Sequence, residues 1–236
     1  MSRPIAILIA GDPIESVRQS RGSYADMIRR ASGDRVALPF VDLDIRSRGV
    51  LPDPRTFAGI VVTGSASSVT DREDWVVQGE AYLRRVVETN VPVFGICFGH
   101  QMLGQALGGL VERNPRGREI GTVKFRVVSA DPILAAATAP FLANATHVDS
   151  VTLLPPGAKV LATTEREPHA AVRFSENAWG VQFHPEMDGD VVREYVRARG
   201  AILNDEGLDA DALATNARDG VAGTSTLLRF LDLFAE

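Results

Sequence analysis

The single cysteine of this 236-residue chain, Cys97, stands in "VPVFGICFGHQMLGQALGG" (91–109), with Gly95 and Gly99 two positions to either side. A thiol on a tight turn from strand to helix is in a nucleophile's position. Such a turn holds the residue at strained dihedrals and aims the sulfur at a helix N-terminus, where the dipole and free N–H groups favour a thiolate. The flanking glycines let strand and helix pass closely. The turn also frees the N–H of Phe98 for a developing oxyanion. The plainer account of a lone cysteine, a small buried hydrophobe, leaves the paired glycines unexplained.

A thiol nucleophile needs a base, and the chain has four histidines. His100 belongs to the helix that follows Cys97, so it should point along that helix and away from the sulfur, as a structural residue. His169, between "REP" and "AAVRF", reads as a surface or loop residue. His184 differs: it ends the strand-like run "AWGVQF", is stiffened by Pro185, and is followed two positions on by Glu186. A carboxylate at that spacing can reach the far imidazole nitrogen, set the tautomer and stabilise the imidazolium. Cys97, His184 and Glu186 then make a nucleophile, a base and its orienter.

Elements able to position such a set are legible in the first half. Short apolar runs at 5–10, 36–43, 59–64 and 91–96 alternate with amphipathic stretches around 23–31 and 74–88. Strands of this kind separated by helices predict a parallel sheet covered on both faces, with ligands at the strand carboxyl ends. Both "TGS" and "GICFG" begin there. From about residue 110 the texture changes to strands at 121–128, 159–164, 170–174 and 178–183, read as an antiparallel extension of the same sheet. One continuous helix is predicted over 190–203. The final "TSTLLRFLDLFAE" places Leu227, Phe230, Leu231 and Phe234 on one helical face as core packing. The whole of 1–236 is expected to form a single domain, with a core of about 4–204 and a helical tail of 205–236.

Composition narrows the function classes. With 45% hydrophobic and 23% charged residues the chain reads as an ordinary globular protein. A net charge of -5 argues against nucleic acid or an anionic membrane as partner. The apolar run Ile5 to Ala10 is too short for a signal core or a bilayer span. A lone cysteine and no export signal point to a cytoplasmic setting. Histidines and carboxylates lack ligand spacing, so no metal or organic cofactor is expected.

In "VVTGS", "GICFGHQMLGQALGG", "THVDSVTLLPPGAKVLATT" and "WGVQFHPE", in that order and spacing, the sequence resembles the class I glutamine amidotransferases over roughly residues 4 to 200. The resemblance implies a flavodoxin-like, three-layer, doubly wound α/β fold. It implies Cys97 as nucleophile, His184 as general base and acid, and Glu186 as its orienter. The backbone N–H groups of Gly64 and Phe98 would form the oxyanion hole. Ser65 and Gln101 would help hold the glutamyl group, and Thr146, His147, Val148 and Asp149 match the loop that contacts the substrate's α-amino and α-carboxylate end. Synthase-linked members often carry glycine where Val148 stands.

The implied reaction is hydrolysis of the γ-glutamyl amide of glutamine or a γ-glutamyl compound through a thioester. No SGGxDS-type ATP pyrophosphatase loop or Walker motif is present, so the chain is not expected to activate an acceptor itself. "GICFGHQ" after "TGSASSVTDREDWV" looks most like standalone proteins described as GMP-synthase-like amidotransferases and γ-glutamyl peptidases, which favours a freestanding hydrolase. The alternatives are a glutaminase subunit passing ammonia in trans to a synthase partner, and a catalytically silent binding module, which would normally lack a triad member. Near "NPRGREIG" (114–121), Arg113, Arg116 and Arg118 could form a lip for an acidic substrate. A solvated hairpin turn is the simpler account of that segment.

Overall fold

The computed structural model describes residues 3–35, 37–47, 49–134 and 140–234. The strands are β1 (Ile5–Ile9), β2 (Phe40–Asp44), β3 (Gly59–Val62), β4 (Val93–Ile96), β5 (Leu110–Arg113), β6 (Glu119–Val127), β7 (Phe141–His147), β8 (Asp149–Leu153), β9 (Lys159–Thr163), β10 (Ala171–Ser175) and β11 (Ala178–Val181). The α-helices are α1 (Glu15–Arg21), α2 (Tyr24–Ser32), α3 (Asp74–Glu88), α4 (Phe98–Ala106), α5 (Gly189–Ala198), α6 (Gly200–Asp205), α7 (Ala210–Asn216) and α8 (Val221–Leu231).

Nine strands form one sheet in the order β2-β1-β3-β4-β11-β10-β9-β6-β7. From β2 to β11 every neighbouring pair is parallel, and from β11 to β7 every pair is antiparallel. The expected antiparallel extension is therefore the second half of the sheet, and β11 is the strand that joins the two. The remaining strands, β5 and β8, pair separately.

Alternation along the parallel strands builds two cores. Ile5 and Ile7 of β1 and Phe94 and Ile96 of β4 face α2 and α8, packing with Ile28, Leu227 and Phe230. Ala6, Leu8, Ile60, Val62 and Val93 face the other way and pack with Leu83 of α3 and Met102 and Leu103 of α4. Strands covered on both faces carry apolar residues at every position, which is why these runs read as continuous. The result is a three-layer α/β structure.

Three elements depart from the sequence reading. The run at 36–43 yields a strand only from Phe40, because Pro39 has no N–H to give a ladder; Val36 lies outside the described residues. The segment 110–153 contributes four strands, β5 to β8, where only one, at 121–128, was expected, since loop-like residues such as Asn144 and His147 sit on buried positions of β7. The helix expected over 190–203 is broken at Arg199, which leaves helical geometry at φ -108, ψ 10 before Gly200 starts α6. The final stripe holds: Leu227, Phe230 and Leu231 are buried, and the Phe234 ring stands on Gly59, where a Cβ would come within 2.3 Å of it.

Candidate active site

Cys97 sits between β4 and α4 as the helix N-cap, at φ 49, ψ -98, one of three non-glycine residues with positive φ among those described. Its N–H is fixed to the carbonyl of Val181 at 2.8 Å. The glycines at second positions are required by contact: a Cβ on Gly95 would lie 2.5 Å from the Gly99 carbonyl, and one on Gly99 would lie 2.6 Å from the Val62 carbonyl. Phe98 opens α4, so its amide is one that the helix leaves without an internal partner. The Gly64 amide has no acceptor among the described residues.

His184 follows the end of β11, and its amide donates to the carbonyl of Asn144 at 2.7 Å. The Asn144 side chain donates to the carbonyl of Met187 at 3.0 Å, so one β7 residue pins both ends of the His-Pro-Glu turn. Glu186 Oε1 is 2.7 Å from His184 Nδ1, which leaves Nε2 for the sulfur. The imidazole is wedged between Gly64, where a Cβ would meet its Cε1 at 2.8 Å, and the Tyr24 ring, stacked at 6.1 Å between centroids.

Electrostatics follow from this packing. Burial pushes the Cys97 thiol up, but the charge and hydrogen bond of His184, with His147 further off, outweigh burial and hold it below its ordinary value. Burial pushes His184 down, but Glu186 and Cys97 outweigh that and raise it to about 10. The two shifts together describe a thiolate–imidazolium pair. His147, at the end of β7, is also raised: against the effect of burial, Glu119 at 3.3 Å and the charge of Glu167 favour its protonated form.

A cleft of about 450 Å³ opens over the sulfur, lined by Ser65, Cys97, Gln101, Thr146, Val148 and Asp149 among others. All six residues that the resemblance assigns to the glutamyl group, His147 included, therefore meet there. Gln101 donates its amide hydrogens to the carbonyl of Asp149 at 2.9 Å and to Gln182 Oε1 at 3.1 Å, so its orientation is fixed. Asp149 accepts a hydrogen bond from Ser68, which closes the loop after β3 onto β8. His100 is buried against Phe174 and Gly180, away from the sulfur, and His169 is a half-buried turn residue, as expected.

The hairpin account of 114–118 is corrected. The strands it joins belong to different sheets, and Arg113 and Arg118 line the cleft, while Arg116 turns away to the carbonyl of Glu165. Sequence reasoning missed Gln182, whose Nε2 lies 3.4 Å from the sulfur, and Arg199, which also lines the cleft. Gln182 could have been found, since it stands two residues before His184, one past the end of the strand beside the elbow. The signal for Arg199 was weaker: only Gly200 beside it marks a break in a stretch that otherwise reads as one helix.

A model of glutamine amidotransferase class I matches residues 21–199, most of the chain. The chain belongs to the class I glutamine amidotransferases. Among curated relatives, it is 35% identical over 171 residues to GMP synthase (glutamine-hydrolyzing) from Aeropyrum pernix, covering 70% of this chain and 31% of that protein. To the same-named protein of Xanthomonas oryzae it is 38% identical over 135 residues, or 55% and 25% of the two chains. It thus spans a quarter to a third of the length of these relatives. A solved glutamine amidotransferase from Thermotoga maritima superposes over the full length of both chains with a TM-score of 0.73 at 20% identity. A glutamine amidotransferase from Methylobacillus flagellatus superposes over 100% of this chain and 96% of its own, with a TM-score of 0.76 at 21% identity.

Proposed function

We propose that this class I amidotransferase domain hydrolyses the γ-glutamyl amide of glutamine or of a γ-glutamyl compound through a thioester on Cys97. The observation that carries this reading is the buried chain of contacts that runs from the cleft-lining sulfur of Cys97 to His184 and on to Glu186. An amide is a poor electrophile, so the reaction requires a strong nucleophile, donors for the tetrahedral oxyanion and an acid for the departing nitrogen.

The thiolate of Cys97 attacks the γ-carbonyl carbon, and the oxyanion is met by the amides of Gly64 and Phe98. Protonated His184 gives its proton to the nitrogen, the C–N bond breaks, and ammonia or an amine departs. Neutral His184 then takes a proton from water, whose oxygen attacks the thioester carbon, and glutamate leaves as the thiolate is restored. Glu186 keeps Nδ1 engaged so that Nε2 serves the reacting atoms throughout. Ser65, Gln101, Thr146, Val148 and Asp149 hold the glutamyl end.

The freestanding hydrolase is the preferred form of this reading, on the resemblance of the elbow and the loop before it to standalone members. The likeness to the glutaminase portion of GMP synthases favours a second form, in which the domain passes ammonia to a separate synthase. The test is release of ammonia and glutamate from glutamine beside release of amine from γ-glutamyl compounds, with Cys97→Ala as control. Turnover that depends on Cys97 supports the hydrolase. Silence that is relieved by a co-purifying synthase supports the subunit.

A further inference from the structure

The break between α5 and α6 does something specific. By leaving the helix at Arg199, the chain turns that side chain into the cleft over Cys97. Arg199 is half-buried, its Nη1 donates to Thr146 Oγ1 at 2.6 Å, and its guanidinium lies 4.9 Å from the centroid of the Tyr195 ring. Among the described residues it makes no ion pair. The other two arginines of the cleft, Arg113 and Arg118, share one carboxylate, Glu206, with Arg118 held by two bonds at 2.8 and 3.1 Å. Two of the cleft's three guanidinium groups thus share Glu206, and Arg199 has no carboxylate of its own among the described residues. Burial and the nearness of Arg118 both disfavour the charge on Arg199. A cation fixed in place, partly desolvated and close to another cation is suited to bind an anion.

The position of Arg199 says which part of a substrate it would meet. Tyr195, under the guanidinium, joins its hydroxyl to that of Tyr24 at 2.8 Å, and the Tyr24 ring stacks on His184. Arg199 is therefore linked to the imidazole through the two tyrosines. The departing nitrogen must come to that imidazole to receive its proton, whereas Gln101, Asp149 and Ser68 are tied to one another and make no hydrogen bond with Arg199.

We propose that Arg199, with Arg118 beside it, binds a carboxylate on the leaving group, so that the preferred substrates are γ-glutamyl amides of amino acids or peptides. This rests on the hydrolase reading above and adds the substrate class to it. Arg199 acts on binding and orientation; the Thr146 hydroxyl and the Tyr195 ring hold it there, while the backbone of Thr146 serves the glutamyl end.

The experiment compares γ-glutamylglycine with γ-glutamylglycinamide, which differ only in that carboxylate. Wild-type protein should show kcat/KM at least about tenfold higher for the acid, mostly through KM. Arg199→Gln should bring the ratio of acid to amide within about twofold, and Arg199→Lys should restore part of it. Far-UV circular dichroism and labelling of Cys97 by a glutamine-analogue chloroketone check that both variants are folded. Equal turnover of acid and amide by the wild type would overturn the proposal without any variant. An equal loss on both substrates in Arg199→Gln would also overturn it, by assigning Arg199 to the glutamyl α-carboxylate or to structure alone. If only glutamine is hydrolysed, the hydrolase reading stands and this proposal falls. If nothing is hydrolysed, titration calorimetry on the Cys97→Ala protein decides: tighter binding of the acid supports the carboxylate site, and equal or absent binding refutes it.

Discussion

Two buried histidines flank β11, and the protein treats them in opposite ways. His100, on α4, lies under the elbow against Gly180 and the Phe174 ring, and its neighbours among the titratable groups are other histidines, His169 and His147. Neither of its ring nitrogens makes a hydrogen bond of ordinary geometry, and burial drives its pKa down to about 3. His184, just beyond the same strand, is as deeply buried, yet it is raised to about 10 because Glu186 and Cys97 face it. Burial alone makes an inert imidazole; burial with a carboxylate and a thiolate makes a proton carrier. One region is a core with a histidine in it, and the other is an ion triad that the core encloses.

The contrast is broken most severely by removing the sulfur. Cys97→Ala should abolish γ-glutamyl turnover, by at least roughly 10³-fold, because no other nucleophile is in place. Measured amine or glutamate release checks this, and residual turnover near the wild-type rate would sink the thioester route.

Glu186→Gln makes His184 resemble His100 by deleting the carboxylate. A fall in kcat of roughly 10²-fold is expected. The pH profile is the sharper measure. In the proposed route His184 gives its proton to the leaving group, and that proton is held up to about pH 10 in the wild type, so the alkaline limb should lie there and move to lower pH in the variant. An unmoved alkaline limb would separate His184 from the acid role.

A smaller effect comes from the joint between the two regions. A methyl group on Gly95 would press into the Gly99 peptide at 2.5 Å. Gly95→Ala should cost about 1–3 kcal/mol in denaturant unfolding and lower turnover by tilting Cys97 against His184. Unchanged stability would mean that strand and helix can separate without strain.

The unequal legibility of the two regions has a physical origin. Cys97, Gly95 and Gly99 lie within five residues, so a local rule about turns was enough to find them, and the His-Pro-Glu run is equally local. The parallel half of the sheet was readable because strands buried on both faces are apolar throughout. What pins the triad is not local: Asn144 on β7 holds the turn at His184–Met187, and Gln182 reaches the sulfur from just past the neighbouring strand. Arg199 was hidden because the helical apolar period of 190–203 runs on through Gly200, where the break falls, and the strands β5, β7 and β8 by their mixture of polar and apolar positions. Pairings between segments far apart in sequence leave no periodic trace.

The gentlest test acts on His100 alone, through stability. An unfolded histidine takes up a proton near pH 6.5, whereas the folded protein holds His100 neutral until about pH 3. The unfolded state therefore binds more protons as pH falls below 6.5, and this group contributes stability above that pH which is lost progressively on acidification. At pH 5 the loss amounts to about 2 kcal/mol, or roughly 4–8 °C in Tm for a chain of this size. For His184 the sign reverses: its raised pKa contributes stability that is complete below pH 6.5 and disappears as pH rises toward 10. In His100→Leu the drop in Tm between pH 7 and pH 5 should shrink by about that amount, while turnover at pH 7 stays within about threefold, because the ring faces Phe174 and not the sulfur. Equal acid sensitivity in variant and wild type would mean that His100 is charged in the folded protein, and the two histidines would then differ in position but not in kind.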